Sequence, residues 1–338
     1  MTARDFLLPS ELEASAPPQR RAGVRLLVAD ATGIRHERFT GFARFLEPGD
    51  LLVVNTSATL AAAVDGHRHD GRPVTVHFST ALDDGSWVVE VRPAGRADGP
   101  VRDLAAREHI RLDGGVLLTI RAPRPLHQSR LWRADVAVEG DVSRYVARAG
   151  RPIRYAYVPQ RYPLHEYQTV FATDPGSAEM PSAGRPFTNR IVTELTVRGV
   201  AVAPITLHTG VSSAEDGEPP QPERFSVPAS TARLVNLTGA AGGRVVAVGT
   251  TVTRALESAT DERGRVEPRA GWTELVLGPS RPARVVRGLV TGWHAPGASH
   301  LQLLQAVAGA ELVERAYAEA LRERYRWHEF GDSCLLLP

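Results

Sequence analysis

The sequence predicts an α/β body interrupted by a small antiparallel β unit, and three observations carry this reading. Val245 to Val248 form an unbroken apolar run, followed by Gly249, Thr250 and Thr251 and then a helical stretch to Ser258. An unbroken run suits a strand covered on both faces, and the glycine lets the backbone turn into a helix. From about Ala61 to Arg144, short valine, leucine and isoleucine runs alternate instead with polar and turn residues. From Tyr167 onward, helical and strand-like stretches alternate again, as a wound sheet requires.

Taken in order, residues 1–22 read as an extended arm, because Pro9, Pro17 and Pro18 block a long helix. Val24 to Ala29 and Leu51 to Val54 read as buried strands, with Pro48-Gly49-Asp50 as the turn before the second. Val74–Phe78, Trp87–Arg92, Ile110–Leu112, Val116–Ile120 and Arg133–Val138 read as short strands, with hairpin turns at Asp83-Asp84-Gly85 and Asp113-Gly114-Gly115. That pattern fits a small barrel or a sandwich. Arg151 to His165 is rich in arginine and tyrosine. Arg151, Arg154, Tyr157 and Arg161 there suit either single-stranded nucleic acid or an interdomain linker with packed tyrosines. Asn189–Arg198 reads as a helix and Val200–Leu207 as a strand; Glu274–Leu277 and Val285–Leu289 read as further strands, and Ser299–Arg324 as one or two helices. Ser212 to Pro222 is acidic and proline-rich, and its place after His208 suggests a lid.

Composition bounds the chemistry. The chain has 338 residues, 43% of them hydrophobic, which is enough for a large core and about two domains. A net charge of +2 gives no global drive toward nucleic acid. All forty basic residues are arginine, which excludes a lysine Schiff base and a P-loop lysine. Cys334 is the only cysteine, so an internal disulfide and a cysteine metal cluster are excluded. The start, Met1-Thr2-Ala3-Arg4-Asp5, opens no apolar run of signal length, and no stretch approaches a membrane span. A soluble cytoplasmic protein without membrane contact is the expectation. The oligomeric state is not fixed by the sequence.

His208 follows a probable strand, where ligands of open α/β sheets bind. It reads either as a proton-exchanging group or as a loop histidine with a structural hydrogen bond. His294 lies in a Trp-His-Ala-Pro turn, and is either ligand-facing or packed. His67, His69 and His77 are more simply a polar strand edge than a metal site. Thr250 or Thr251 can cap the helix after Gly249, whose free N–H groups favour an electron-rich ligand group. Arg254 and Glu257 share a face of that helix. Thr188 is suited to cap a helix, and Asp332 either meets a substrate or anchors the chain end.

Many short stretches resemble, in order, the S-adenosylmethionine:tRNA ribosyltransferase-isomerases of queuosine biosynthesis. They include Leu46-Glu47-Pro48-Gly49-Asp50, Tyr167-Gln168-Thr169-Val170-Phe171-Ala172 and Pro181-Ser182-Ala183-Gly184. Thr206-Leu207-His208, Val248-Gly249-Thr250-Thr251 with Arg254 and Leu256-Glu257-Ser258, and Trp293-His294-Ala295-Pro296 follow, then Tyr325-Arg326 and Phe330-Gly331-Asp332. There are departures inside motifs. Asn55-Thr56-Ser57-Ala58 stands where the family reads Asn-Asp-Thr-Arg, and Pro186 replaces a histidine.

The resemblance implies an α/β main domain, residues 1–60 and 150–338, with a β-barrel domain inserted at 61–149. It implies an enzyme that moves and isomerises the ribosyl part of S-adenosylmethionine onto the aminomethyl-deazaguanine base of tRNA, giving epoxyqueuosine and releasing adenine and methionine. S-adenosylmethionine is then a co-substrate, and no metal or further cofactor is expected. On this reading His208 or His294 is the base and Asp332 meets the amine. The substrate set is Asn55, Ser182, Gly184, Thr188, Gly249, Thr250, Thr251, Arg254 and Glu257, with Glu257 orienting Arg254. The departures leave two alternatives: a diverged enzyme acting on a non-tRNA acceptor or cleaving S-adenosylmethionine, or a non-catalytic S-adenosylmethionine-binding protein.

Overall fold

The structure is a computed structural model that describes residues 6–95, 99–125, 129–211 and 221–338. Residues 212–220 of the expected lid lie outside the described residues. The body opens with β1 (Arg25–Asp30), β2 (Gly33–Arg38), β3 (Leu51–Asn55) and the short β4 (Ser57–Thr59). Six strands follow: β5 (Ala63–Arg68), β6 (Pro73–Ala81), β7 (Trp87–Pro93), β8 (His109–Leu112), β9 (Leu117–Pro123) and β10 (Leu131–Ala137). They close into an antiparallel barrel in the order β10-β7-β6-β5-β8-β9, which removes free sheet edges. Helix α1 (Val142–Ala149) leads out, with Asp141 accepting from the Ser143 N–H as its cap.

The chain then supplies β11 (Asp174–Ser177), α2 (Asn189–Val197), β12 (Ala201–Leu207), β13 (Glu223–Val227), α3 (Ala229–Ala240), β14 (Val245–Val248) and α4 (Thr250–Ser258). It finishes with β15 (Arg269–Thr273), β16 (Gly288–Thr291), α5 (His300–Ala308), α6 (Ala310–Arg322) and β17 (Ser333–Leu337). Nine strands form one sheet in the order β15-β13-β12-β3-β14-β16-β17-β1-β2. Its centre, β12-β3-β14-β16, is parallel. Alternate residues of these strands serve two cores. Leu51, Val53, Val245 and Ala247 join one, while Leu52, Val54, Val246 and Val248 join the other. With a period of two and both faces covered, every residue of β14 must be apolar.

Two sequence expectations shift, and a third is resolved. Strand β15 lies before Glu274–Leu277, because the carbonyls of Thr273 and Leu275 accept hydrogen bonds from Arg254. Strand β16 starts only at Gly288, because the N–H groups of Val285 and Val286 donate to the Glu257 carboxylate. The stretch from Ser299 breaks into α5 and α6 at Gly309, whose φ of 78° no helix tolerates. Strands β2 and β17 were not read from the sequence. Strand β17 places the chain end between β16 and β1.

The chain enters and leaves the barrel at one place. Ala63 and Arg151 exchange backbone hydrogen bonds, at 2.9 and 3.0 Å, and the Arg151 guanidinium grips Asp65 at 2.6 and 2.7 Å. We propose this double crossing as the boundary between 1–60 with 150–338 and the inserted 61–149. Gly150 sits in the crossing, where a Cβ would collide with the Ala61 carbonyl oxygen. Backbone cannot yield as a side chain can. Gly150→Ala is expected to destabilise the protein by about 1–3 kcal/mol. Gly239→Ala, in α3 with open space around it, is expected to stabilise by about 0.5–1 kcal/mol. Urea unfolding of both variants checks the pair, and equal effects would contradict the packing account.

Candidate active site

The four parallel strands end on one side, and their carboxyl-end loops line a cavity of about 570 Å3. Thr209 to Val211 follow β12, Thr59 ends β4 just after β3, Gly249 to Thr251 follow β14, and Thr291 to Ser299 follow β16. The barrel adds Glu90 and Arg92 from β7. Ligands of open α/β sheets bind at this end of the strands.

The turn after β14 shapes the floor. Gly249 has φ 92°, and a Cβ there would sit 3.3 Å from Ala183. It is the cap position of α4, and no side chain caps that helix. Thr250 and Thr251 are therefore its first helical residues rather than its caps. Their N–H groups lie at a helix start on the cavity wall, where partial positive charge favours anionic or electron-rich groups.

Arg254 lines the cavity, but its donors are committed. It pairs with Glu223, and also donates to the carbonyls of Leu275 (3.1 Å) and Thr273 (3.3 Å). Glu257 does not orient it. The Glu257 carboxylate instead accepts the N–H groups of Arg284, Val285 and Val286, at 2.9, 2.9 and 3.0 Å. Sharing a helix face thus did not make the two a pair. The orienting carboxylate comes from β13, which sequence spacing could not reveal.

His294 lies on the cavity wall, its Nε2 sharing a hydrogen bond with Thr291 Oγ1 at 3.1 Å. Its ring stacks on His300, with centroids 4.5 Å apart and planes 5° apart. Burial holds both imidazoles below their ordinary range, with His300 pushed down to about 4 and His294 lowered further by His300 and His328. Both are therefore neutral at pH 7. Trp293, beside them and buried, leaves its indole N–H without a partner.

The opposite wall is aromatic and acidic. Tyr157 stacks on His328 with centroids 4.1 Å apart and planes 15° apart, and lies 5.9 Å from Tyr155. The Tyr157 hydroxyl donates to Glu329 at 2.6 Å, and Tyr155 donates to Glu179. Burial raises Glu329 to about 6 despite the Tyr157 hydrogen bond, and burial raises Glu223 against the pull of Arg254. Burial would also raise Glu90, but His77, Arg92 and Arg130 outweigh it and hold this carboxylate at about 2. His300, His328, Glu179 and Glu223 were not singled out from the sequence. The aromatic texture of 151–165 and the Glu329 carboxylate near the C-terminal motif were the signals for this wall.

Of the expected site residues, Ser182, Gly249, Thr250, Thr251, Arg254, His294 and Tyr157 line the cavity. The others lie outside its lining. His208 Nδ1 shares a hydrogen bond with Ser57 Oγ at 2.7 Å, and Ser57 in turn meets Ser177 at 2.6 Å. Burial lowers the His208 pKa, with Asp174 opposing. Asp332 accepts the N–H groups of Arg25 (2.6 Å) and Arg326 (2.8 Å), so it fastens β1 to the C-terminal loop. Asn55 bonds both the N–H and the carbonyl of Leu207, at 3.0 and 2.8 Å, and holds β3 to β12. Thr188 caps α2 by accepting from the Ile191 N–H, and Gly184 sits in the turn before it. Arg151 is engaged with Asp65, Arg154 bonds the carbonyls of Val158 and Pro159, and Arg161 is exposed. Among the described residues no cluster of His, Cys, Asp and Glu could hold a metal ion, and no helix is long and apolar enough to cross a membrane.

Comparisons with known proteins agree on the family. A family described as queuosine biosynthesis protein matches residues 1–336. An S-adenosylmethionine:tRNA ribosyltransferase-isomerase of Symbiobacterium thermophilum is 35% identical, covering 98% of each chain. One from Rubrobacter xylanophilus is 37% identical over 98% of this chain and 96% of its own. The crystal structure of S-adenosylmethionine tRNA ribosyltransferase from Thermotoga maritima matches with a TM-score of 0.56 at 28% identity, covering 99% of this chain and all of that one.

The buried imidazoles make stability depend on acid. Unfolded, His300 takes up a proton near 6.5; folded, only near 4. Between those values protons favour the unfolded chain, so stability falls as pH drops from 6.5 to 4. His300→Gln is expected to flatten this decline. Urea unfolding at pH 7, 6 and 5 checks it, and equal slopes in both proteins would refute the assignment.

Proposed function

The chain belongs to the queuosine-biosynthesis family of S-adenosylmethionine:tRNA ribosyltransferase-isomerases, and from that membership we propose that it transfers and isomerises the ribosyl moiety of S-adenosylmethionine onto the aminomethyl-deazaguanine base of tRNA. The products are epoxyqueuosine, adenine and methionine. The observation that carries this reading is the cavity itself. It joins the Gly249-Thr250-Thr251 helix start, the His294–His300 stack and an acid-lined aromatic wall in one volume. No cofactor beyond the co-substrate is proposed, and the protein is placed in the cytoplasm, where tRNA is found.

The sulfonium acidifies the neighbouring ribose carbon. A base takes that proton, the sugar ring opens with loss of adenine, and the acceptor amine adds. Epoxide closure then expels methionine. His294 is our choice of base. It faces the cavity, and its neutral imidazole at pH 7 can accept a proton. His208, held in the Ser57–Ser177 network behind the lining, acts at most by positioning its loop. The N–H groups at the start of α4 receive the carboxylate or ribose hydroxyls of the co-substrate. Arg254, fixed by Glu223, holds that helix to β15 and its following loop. The exposed Arg154 and Arg161 are proposed tRNA contacts, because phosphate contacts position a nucleic acid without reading its sequence.

A second reading, an acceptor other than tRNA, is favoured by one observation. Ala58 and Pro186 stand where the family pattern this chain resembles reads arginine and histidine.

Adenine and methionine release, measured with and without tRNA bearing the aminomethyl-deazaguanine base, tests both readings. Release that depends on this tRNA is expected. Release without it would favour the second reading, and binding without release would favour a sensor. In the same assay His294→Ala is expected to lose at least about a hundredfold in turnover, while His208→Ala keeps turnover in folded protein. The opposite pattern would restore His208 as the base.

A further inference from the structure

Glu329 is a half-buried carboxylate that feels Arg185 through space but is not paired with it. Its Oε2 accepts from Tyr157 at 2.6 Å, and among the described residues it makes no ion pair. Drawing a carboxylate partly out of water without a direct ion pair is costly. The group faces the cavity between stacked aromatic rings, Tyr155 and Tyr157 on one side and His328 against Tyr157. Glu179, held by Tyr155, adds a second carboxylate to the same wall. Acid and ring faces together are what an alkylammonium needs: a charged hydrogen-bond acceptor and polarisable walls. Residues 327–329 also fall between the two C-terminal stretches that carry the family resemblance, Tyr325-Arg326 and Phe330-Gly331-Asp332.

We propose that Glu329 and Tyr157, with Tyr155 and Glu179 alongside, form a subsite that receives a primary alkylammonium group of a substrate. The assignment rests on the proposed function, in which two molecules carry such a group: the methionyl part of S-adenosylmethionine and the aminomethyl arm of the acceptor base. The subsite fixes the amine against the rings, so that it is oriented before it reacts or while the ribosyl group does.

Calorimetric titration of the full-length protein tests it with three probes: benzylammonium beside neutral benzyl alcohol, S-adenosylmethionine, and the free 7-aminomethyl-7-deazaguanine base. Benzylammonium is expected to bind more tightly than the alcohol, and Glu329→Gln to weaken it at least about tenfold. Glutamine keeps the shape and can still accept from Tyr157. Tyr157→Phe, which keeps the ring stack, supplies the second variant, with a smaller loss expected. A matching loss for S-adenosylmethionine alone assigns the subsite to the methionyl amine, and a loss for the free base alone assigns it to the acceptor. Equal binding of benzylammonium and benzyl alcohol, or no loss in either variant at an unchanged melting temperature, overturns the proposal. Selective benzylammonium binding in a protein that never releases adenine would sink the proposed function and leave the subsite standing.

Discussion

The turn at Gly249 is the constraint on which the site depends. Strand β14 runs through the middle of a parallel sheet and is covered on both faces, so the chain must leave it sharply at its carboxyl end. A φ of 92° achieves this only where a Cβ is absent, and the same residue approaches Ala183 closely. From that single backbone conformation follow the direction of α4, the exposure of its first N–H groups to the cavity, and the contact between α4 and the 181–184 loop. Arg254 then reaches the carbonyls of β15 and its following loop, and Glu257 reaches the N–H groups before β16. One helix thereby positions the connections on both sides of the cavity.

What the sequence revealed tracks the range of the interactions involved. Strands β3 and β14 were legible because burial on two faces forces apolar runs, and the short alternating strands between 61 and 144 were legible because turns and periodicity are local. Gly249 was legible for the same reason. The partners of charged groups were not. Arg254 found Glu223 at the start of β13, with α3 and β14 between them in the chain, whereas the nearer Glu257 turned to backbone. Asp332 and Asn55 read as substrate groups from their place in motifs, yet each joins two backbone segments far apart in sequence. A motif records that a residue is constrained, and a buried hydrogen bond to backbone constrains a polar residue as strictly as a ligand would.

Burial works against charge at several groups of the cavity wall. Burial pushes the imidazoles of His294 and His300 toward their uncharged forms and raises the carboxyls of Glu223 and Glu329. Glu90 is the exception, because three basic neighbours surround it.

The division between shared and particular residues follows the same geometry. Gly249, Thr250, Thr251 and His294 sit at the carboxyl ends of central strands, inside the stretches that resemble the family, where any change would move the sheet as well as the site. Tyr155, Tyr157, His328 and Glu329 sit where the segment leaving the barrel meets the C-terminal loop. Here two irregular segments touch through side chains, so residue type can change with little effect on the strands.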